Sequence, residues 1–388
     1  MFRLLMVFML LITALAGMMP QSAQAQEATP EATPETTPIP FPASVAVHDL
    51  EIDLGGFVTK AQLTFPSESD GPFPTVILFH GSGPYDMDAS YLTYPGQPVQ
   101  SANFRLLAER LPQAGIAVLR FNKRGVLGLG EYDFQQAQLA GSLDQLVADA
   151  NTVIDFALQQ PEVDADQLYL FGWSEGVWVI TNAAQTQEEA GQQIAGLIYM
   201  GAPDGDLQHV LEYQWLELAL PYLAEEIDEN GDGALSIEEA AAIPDGSTRY
   251  MANFFLFDQT STPDALVLST VVNTNGDDVI DLEAELRPTL EQFIGNYPLF
   301  VQPGEASHDT SDLVQRMDVP VLILHGENDG WTPLADAQQI AESQNVTLNV
   351  YEGLGHALSD TPDPAEDDFG VMDDAPIEDL IAWVLGRD

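Results

Sequence analysis

The chain has 388 residues and is 45% hydrophobic, enough to bury the core of one large domain with an insertion, or of two or three domains. Asp and Glu total 61 against 11 Lys and Arg, a formal net charge of −50. This charge repels nucleic acid and anionic membrane surfaces, so we exclude nucleic-acid binding. The sequence contains no cysteine, so an exported form would lack disulfides.

Residues 1–25 have the order of a secretory signal peptide. Arg3 precedes an apolar run over 4–17, and Ala23 and Ala25 supply small residues for cleavage. The alternative is a membrane anchor, but the run is short for a bilayer span. We expect cleavage after Ala25 and a secreted, periplasmic or cell-surface protein with no remaining membrane span.

The composition of residues 26–43, rich in Pro, Thr and Glu, predicts a solvated linker. Three tandem tetrads, EATP, EATP and ETTP, run from Glu27 to Pro38, and such a composition cannot bury a core. A stalk that holds the domain off a surface and a disordered leader are both compatible with this segment.

From residue 44 onward, strands alternate with helices. Alternating apolar positions predict a strand pair over 45–65 with a turn at Gly55-Gly56. The other predicted strands are 75–83, 116–121, 168–176, 194–203, 319–326 and 346–353, and the predicted helices are 101–114, 142–159 and 376–386. This alternation predicts an α/β fold with a mostly parallel sheet covered by helices on both faces. It stops over 204–315, so we divide the domain into a core, 44–203 and 316–388, and an insertion.

The pentapeptide GWSEG at 172–176 matches the nucleophile elbow G-x-S-x-G. An apolar strand precedes it and a helical stretch follows, as a sharp strand-to-helix turn requires. Glycines two residues before and after Ser174 remove side chains that would collide across that turn. The motif predicts Ser174 as a catalytic nucleophile.

Partners for this serine occur in the chain order serine, acid, histidine. His356 follows the last predicted strand, and Asp329 follows the strand 319–326, where its carboxylate can orient the imidazole. Glu327 is an alternative acid at a neighbouring position. His325 lies at a strand end, and we expect a structural role for it.

The sequence HGSG at 80–83 closes the first apolar strand of the core. Its glycines allow the backbone to approach a substrate closely. We expect the N–H groups of Ser82 and Glu175 to form an oxyanion hole for a tetrahedral intermediate.

These motifs resemble the α/β-hydrolase superfamily, particularly exported esterases, dienelactone hydrolases and serine aminopeptidase-like enzymes. HGSGPYDMD (80–88) and VLRFNKRGVLGLGE (118–131) are similar to two of its signature segments, and GWSEG, GENDGWTP and GLGH extend the likeness over 44–203 and 316–388. The resemblance implies hydrolysis of an ester, thioester or amide in a small-molecule or peptide acyl substrate. Met87 replaces the usual Arg, and Leu127-Gly128-Leu129 replaces a tighter turn, so the substrate preference does not carry over.

Residues 228–239, DENGDGALSIEE, match the calcium-binding EF-hand loop. Gly233 stands at the sharp turn, and Leu235 at the apolar position that pairs two such loops. The alternative is an acidic surface loop in an acidic protein. The predicted calcium ligands are Asp228, Asn230, Asp232, the carbonyl of Ala234, Ser236 through water, and Glu239.

EF-hands usually occur in pairs, and residues 273–284 are a second, imperfect match to the loop pattern. Asp278 replaces the glycine of the turn, Ala284 stands where a bidentate acid belongs, and Glu285 compensates only if the loop is one residue longer. It is therefore either a weak calcium site or a partner loop that binds no ion. Its candidate ligands are Asn273, Asn275, Asp277, the carbonyl of Val279, and Asp281.

The sequence pattern over residues 204–315 therefore predicts a helical cap with two EF-hand-type loops. We expect helices at 207–227, and at 262–272 and 282–294 on either side of the second loop. The leading hypothesis is an exported serine hydrolase with calcium bound in this cap. The alternative is a calcium-binding module on a hydrolase scaffold that has lost its activity.

Overall fold

A computed structural model describes residues 40–92, 99–262, 265–297 and 304–386. The predicted signal peptide, and all but the last residues of the predicted linker, lie outside these ranges. Within them, no helix has the length and apolar character needed to cross a bilayer.

The described residues contain a central eight-stranded sheet and three short two-stranded ribbons. The strands are β1 (Val45–Asp53), β2 (Val58–Pro66), β3 (Phe73–Phe79), β4 (Ser90–Tyr91), β5 (Ser101–Ala102), β6 (Ala117–Phe121), β7 (Val126–Gly128), β8 (Glu131–Tyr132), β9 (Val163–Trp173), β10 (Gly196–Met200), β11 (Ala234–Ser236), β12 (Val279–Asp281), β13 (Val321–Gly326) and β14 (Val346–Tyr351). The order in the large sheet is β1-β2-β6-β3-β9-β10-β13-β14. Only β2 runs antiparallel to its neighbours there, so the predicted mostly parallel sheet is confirmed.

Helices cover both faces of this sheet, as predicted. They are α1 (Asn103–Ala114), α2 (Phe134–Leu139), α3 (Leu143–Ala157), α4 (Glu175–Glu189), α5 (the consecutive turns Leu207–Leu211, Glu212–Ala219, Leu220–Tyr222 and Leu223–Ile227), α6 (Ile237–Ala241), α7 (Ser247–Phe255), α8 (Leu282–Leu286 and Arg287–Asn296), α9 (Thr310–Gln315), α10 (Leu334–Ile340) and α11 (Asp374–Val384). The apolar sides of α1 and α11 share one core with the sheet, and those of α3, α4, α9 and α10 share another. The central strands are apolar on both sides because both are buried.

The part of the insertion from α5 to α8 forms a separate helical layer with its own core. The rings of Trp215, Phe255 and Phe293 meet at its centre, with centroids 5.0–5.5 Å apart. The short strands β11 and β12 pair there with Leu235 opposite Ile280.

The helix expected over 262–272 is wrong for the described part of that segment. Backbone amides there bond across to the preceding segment instead of along a helix: Ser269 N–H donates to Leu256 O, and Asp258 N–H donates to Val267 O. The helix that precedes the second loop in the chain is α7, which ends at Phe255, so an irregular segment separates the two.

Candidate active site

Ser174 occupies a strained turn between β9 and α4. Its φ of 54° and ψ of −120° place a residue with a side chain in a region that favours glycine. A Cβ on Gly172 would lie 2.5 Å from the carbonyl oxygen of Gly176, and one on Gly176 would lie 2.5 Å from that of Phe79. The two glycines are therefore required for β9, the turn and β3 to approach this closely.

His356 and Asp329 form a buried hydrogen-bonded pair at the ends of β14 and β13. His356 Nδ1 lies 2.8 Å from Asp329 Oδ2 and 3.0 Å from Oδ1. Asp329 also accepts hydrogen bonds from the N–H groups of Trp331 and Thr332, at 2.8 Å each, and from the Thr332 hydroxyl. Glu327, the alternative acid, is exposed, so the structure brings Asp329 to the imidazole.

The environment keeps Asp329 ionised. Burial raises the pKa of a carboxyl group, but the charge and hydrogen bond of His356 and the N–H of Thr332 outweigh it, so the pKa of Asp329 falls below its usual value. An ionised Asp329 holds the proton on His356 Nδ1, which leaves Nε2 free to accept a proton. His325 Nε2 lies 3.6 Å from Asp329 Oδ2 at a fully buried position, and burial lowers the pKa of His325, which favours its neutral form.

Asp367 joins the loop of the acid to the loop of the histidine, and sequence reasoning missed it. Its Oδ2 accepts the N–H of His356 at 2.8 Å and the N–H of Gly330 at 2.9 Å. The side chain is fully buried, and burial together with the nearby charge of Asp329 raises the pKa of Asp367 to about 7. The sequence DPAEDDFG around it is acidic throughout, so no local pattern distinguishes this carboxyl group from its neighbours.

A buried cation connects the two segments expected to supply oxyanion donors. Lys123 Nζ donates to the carbonyl of Gly81 at 2.8 Å and to Glu175 Oε2 at 2.5 Å. The N–H of Glu175 lies in the first turn of α4, where main-chain amides have no acceptor within the helix. Lys123 belongs to a segment that the sequence singled out only by resemblance, because its partners lie far away in the chain.

Ser174, His356, Ser82 and Glu175 all line one cavity of about 420 Å³. The insertion contributes part of its wall, including Trp215 from α5. The four predicted groups therefore line a common space, and residues of the insertion form part of its wall.

The helix α5 also contacts the loop that carries the acid. The Tyr213 hydroxyl donates to the carbonyl of Asp329 at 2.7 Å, and Gln214 Nε2 donates to the carbonyl of Trp331 at 2.9 Å. The insertion is thus bonded to the residues that hold His356, as well as forming a wall of the cavity.

The first acidic loop begins directly after α5. Both carboxylate oxygens of Asp228 accept loop amides, including Gly231 N–H at 2.9 Å and Gly233 N–H at 2.8 Å. Gly233 has a φ of +81°, which a sharp turn requires. Glu239 folds back on Ser236, and its Oε1 lies 3.4 Å from Asn230 Nδ2, so its carboxylate faces the loop.

The second loop is closed by Glu285. Its Oε1 accepts the N–H groups of Thr274 and Asn275, and its Oε2 accepts the N–H of Asp281. Residue 284 therefore does not close the loop. Neither loop, nor any other place in the described ranges, brings three or more His, Asp or Glu side chains together as a ready metal site. The first loop has oxygen donors and a sharp turn of the kind that a calcium site uses. The carboxylates of Asp228 and Glu239 accept hydrogen bonds from main-chain amides of the same loop.

Comparison with known proteins places the chain in a family. Residues 76–367 match the alpha/beta hydrolase family. Esterase EstD of Thermotoga maritima is 22% identical over 312 residues, which are 79% of this chain and 59% of that protein. The non-heme chloroperoxidase of Streptomyces lividans is 44% identical over 55 residues, 14% of this chain and 20% of that protein.

Among solved structures, Est1E from Butyrivibrio proteoclasticus is similar with a TM-score of 0.46 and 16% identity, covering 87% of this chain and 98% of that one. The chain spans at most 59% of the length of the two curated relatives above. The family match covers well over half of the chain and includes Ser174, Asp329 and His356. The protein therefore belongs to the alpha/beta hydrolase family.

Proposed function

We propose that this protein is an exported serine hydrolase that cleaves an ester, or alternatively a thioester or amide, through an acyl-enzyme. The observation that carries the proposal is the 2.8 Å contact of Asp329 with His356, whose side chain lines the same cavity as Ser174 at its strained turn. A nucleophile, a base and a group that orients the base are the minimum for this chemistry.

In the proposed reaction, Ser174 Oγ attacks the acyl carbon while His356 Nε2 takes its proton. Asp329 holds the imidazole through Nδ1 and stabilises the imidazolium. The N–H groups of Ser82 and Glu175 bind the oxyanion. The bond to the leaving group then breaks, and His356 returns the proton to it. Water, activated by the same imidazole, releases the acid from Ser174.

Hydrolysis of 4-nitrophenyl butyrate by the Ser174→Ala variant tests the mechanism. We expect a fall in kcat of at least about a thousandfold, because the covalent intermediate cannot form. Ser69→Ala is the matched control, since Ser69 is exposed and lies outside the cavity. A fluorophosphonate probe should label the wild type and not Ser174→Ala. Undiminished turnover in Ser174→Ala would refute the mechanism, and a wild type that neither turns over nor labels would favour the inactive calcium-binding scaffold.

The proposal includes calcium in the first loop of the cap. The oxygens of Asp228, Asn230, Asp232 and Glu239, the Ala234 carbonyl and a water on Ser236 would hold it. A bound ion would cross-link the loop and stabilise the folded cap. What supports the site is the turn at Gly233 and the inward carboxylate of Glu239. A second ion in the loop of Asn273, Asn275, Asp277, Val279 and Asp281 would need Glu285 as its bidentate acid.

Thermal unfolding with and without a calcium chelator tests this part. We expect chelation to lower the Tm of the wild type by several degrees, because an ion bound only to the folded state stabilises it. Glu239→Gln should reduce that difference, whereas Glu238→Gln, at an exposed neighbouring position, should retain it. Titration calorimetry would count one ion or two. If chelation changes neither the Tm nor the activity, calcium has no role here.

Export is proposed from residues 1–25 alone. The mass of the protein recovered from outside the cytoplasm should correspond to a chain that begins at Gln26. A full-length chain retained inside the cell would contradict cleavage after Ala25.

A further inference from the structure

The cavity that holds Ser174 is lined mainly by aromatic and aliphatic side chains. Of the thirty lining residues in the described part of the chain, eleven are Phe, Tyr or Trp. Leu207, Val210 and Trp215 add apolar surface from α5. A volume of about 420 Å³ is well above that of an acetyl group and lies in the range of cavities that enclose ring-sized ligands.

The charged groups on this wall are acidic. Asp86 and Glu175 line the cavity, and none of its lining residues in the described ranges is Lys or Arg. The carboxylate of Asp86 accepts hydrogen bonds from the N–H and hydroxyl of Ser90, which are neutral donors. Within the described residues no cation is bonded to this carboxylate, and the charge of the buried Arg120, which acts on it, is paired with Asp88.

The cations within and directly after β6 are bonded to other groups. Lys123 donates to Gly81 and Glu175, and Arg124 forms a buried pair with Asp149 at 2.6 Å. Arg120 pairs with Asp88. Freeing Arg124 to meet a substrate would leave the buried carboxylate of Asp149 unpaired, which costs several kcal/mol. Freeing Lys123 or Arg120 would remove the cation bonded to the partly buried carboxylate of Glu175 or Asp88.

We infer that the site takes uncharged esters with an aromatic or similarly bulky apolar group, and that it discriminates against substrates with a free carboxylate. The inference rests on the proposed hydrolase function. A substrate carboxylate would lose its water in a cavity that offers it no cation and that holds Asp86, and an unpaired buried charge is strongly disfavoured. An uncharged ring loses little hydration and packs against the aromatic wall.

Two isosteric substrates separate charge from size. 4-Nitrophenyl 4-carboxybenzoate carries a carboxylate, and 4-nitrophenyl 4-carbamoylbenzoate carries a neutral amide of the same shape. Each kcat/KM is divided by the alkaline hydrolysis rate of the same ester, which removes their different intrinsic reactivity. We expect the neutral ester to be preferred by at least about a hundredfold, equal to about 2.7 kcal/mol. We also expect 4-nitrophenyl benzoate to have a KM at least about tenfold below that of the acetate.

A cation introduced into the cavity wall tests whether the absence of positive charge causes the preference for the neutral ester. Leu207 is half-buried and has no part in the proposed chemistry, so Leu207→Lys supplies a cation and Leu207→Met is the control of similar length. Leu207→Lys should reduce the preference at least about tenfold, and Leu207→Met should leave it unchanged.

Equal corrected rates for the two esters in the wild type would overturn the inference while leaving the hydrolase function intact. A KM for the acetate equal to that for the benzoate would overturn its size part. If the wild type cleaves no 4-nitrophenyl ester, the proposed function fails and the inference fails with it.

Discussion

Replacing Lys123 with Met should slow the chemical step without weakening substrate binding. The ammonium joins the carbonyl of Gly81 to the carboxylate of Glu175, so it sets the spacing of the two segments that carry the proposed oxyanion donors. Two charge-assisted hydrogen bonds are lost in Lys123→Met, each worth about 1.5–3 kcal/mol. If misalignment of the oxyanion donors raises the activation free energy by the value of one such bond, kcat falls by roughly 10–150-fold.

Steady-state kinetics with 4-nitrophenyl butyrate is the assay. The oxyanion develops only on the way to the transition state, so we expect KM to change by less than about twofold while kcat falls. A loss confined to KM, or a folded Lys123→Met variant with the kcat of the wild type, would refute this reasoning.

The double variant Lys123→Met/Glu175→Gln separates stability from catalysis. In the single variant, the carboxylate of Glu175 loses its partner in a mostly buried position, which lowers the free energy of unfolding. The double variant removes that unpaired charge, so its stability should recover. The carbonyl of Gly81 still lacks its donor, so kcat should remain low. Recovery of both quantities would assign Lys123 a structural role only.

Two further variants probe the supports of the triad. The raised pKa of Asp367, about 7 against about 3.9 in an unfolded chain, means that its contribution to stability is present below pH 4 and is lost as the pH rises through 7. Asp367→Asn keeps an oxygen that accepts both amides but carries no charge. The free energy of unfolding of the variant, measured with denaturant, should therefore rise relative to that of the wild type by up to about 2–3 kcal/mol as the pH goes from 5 to 8. A difference that stays constant over this range would contradict the reasoning. Tyr213→Phe removes one hydrogen bond to Asp329 and should cost about 1 kcal/mol in unfolding free energy and a few-fold in kcat, and an unchanged kcat would show that this contact does not support the acid.

The parts of the fold and site that the sequence predicts are those with a local signal. Apolar strands separated by helices predicted the parallel sheet. The pattern around Ser174 predicts a sharp turn, which agrees with its φ of 54°, and the glycines at 172 and 176 give this turn the space it needs. His356 and Asp329 are predicted because they follow Ser174 in the chain order acid, histidine, and because each lies shortly after a strand.

The remaining parts depend on contacts between distant segments. Asp367 is one acid among many until the fold brings Gly330 and His356 to the same oxygen. Lys123 has no visible role until β3 and α4 supply its partners. The pattern over 262–272 predicts a helix flanking the second loop, but Ser269 N–H and Val267 O bond to the segment after α7 instead.

The helix α5 determines how an ion in the cap could affect the reaction. Its residues Tyr213 and Gln214 bond to the acid loop, and its last turn ends at Ile227, directly before the first ligand of the predicted calcium loop. Ile227 lies fourteen residues after Tyr213, and most of the residues between them lie in π-helical turns. No residue of either acidic loop lines the described wall of the cavity that holds Ser174, so any influence of an ion on catalysis must pass through the position of α5. Activity lost on chelation should therefore follow the loss of cap structure measured by hydrogen exchange in α5, and a loss of activity with α5 fully protected would contradict this coupling.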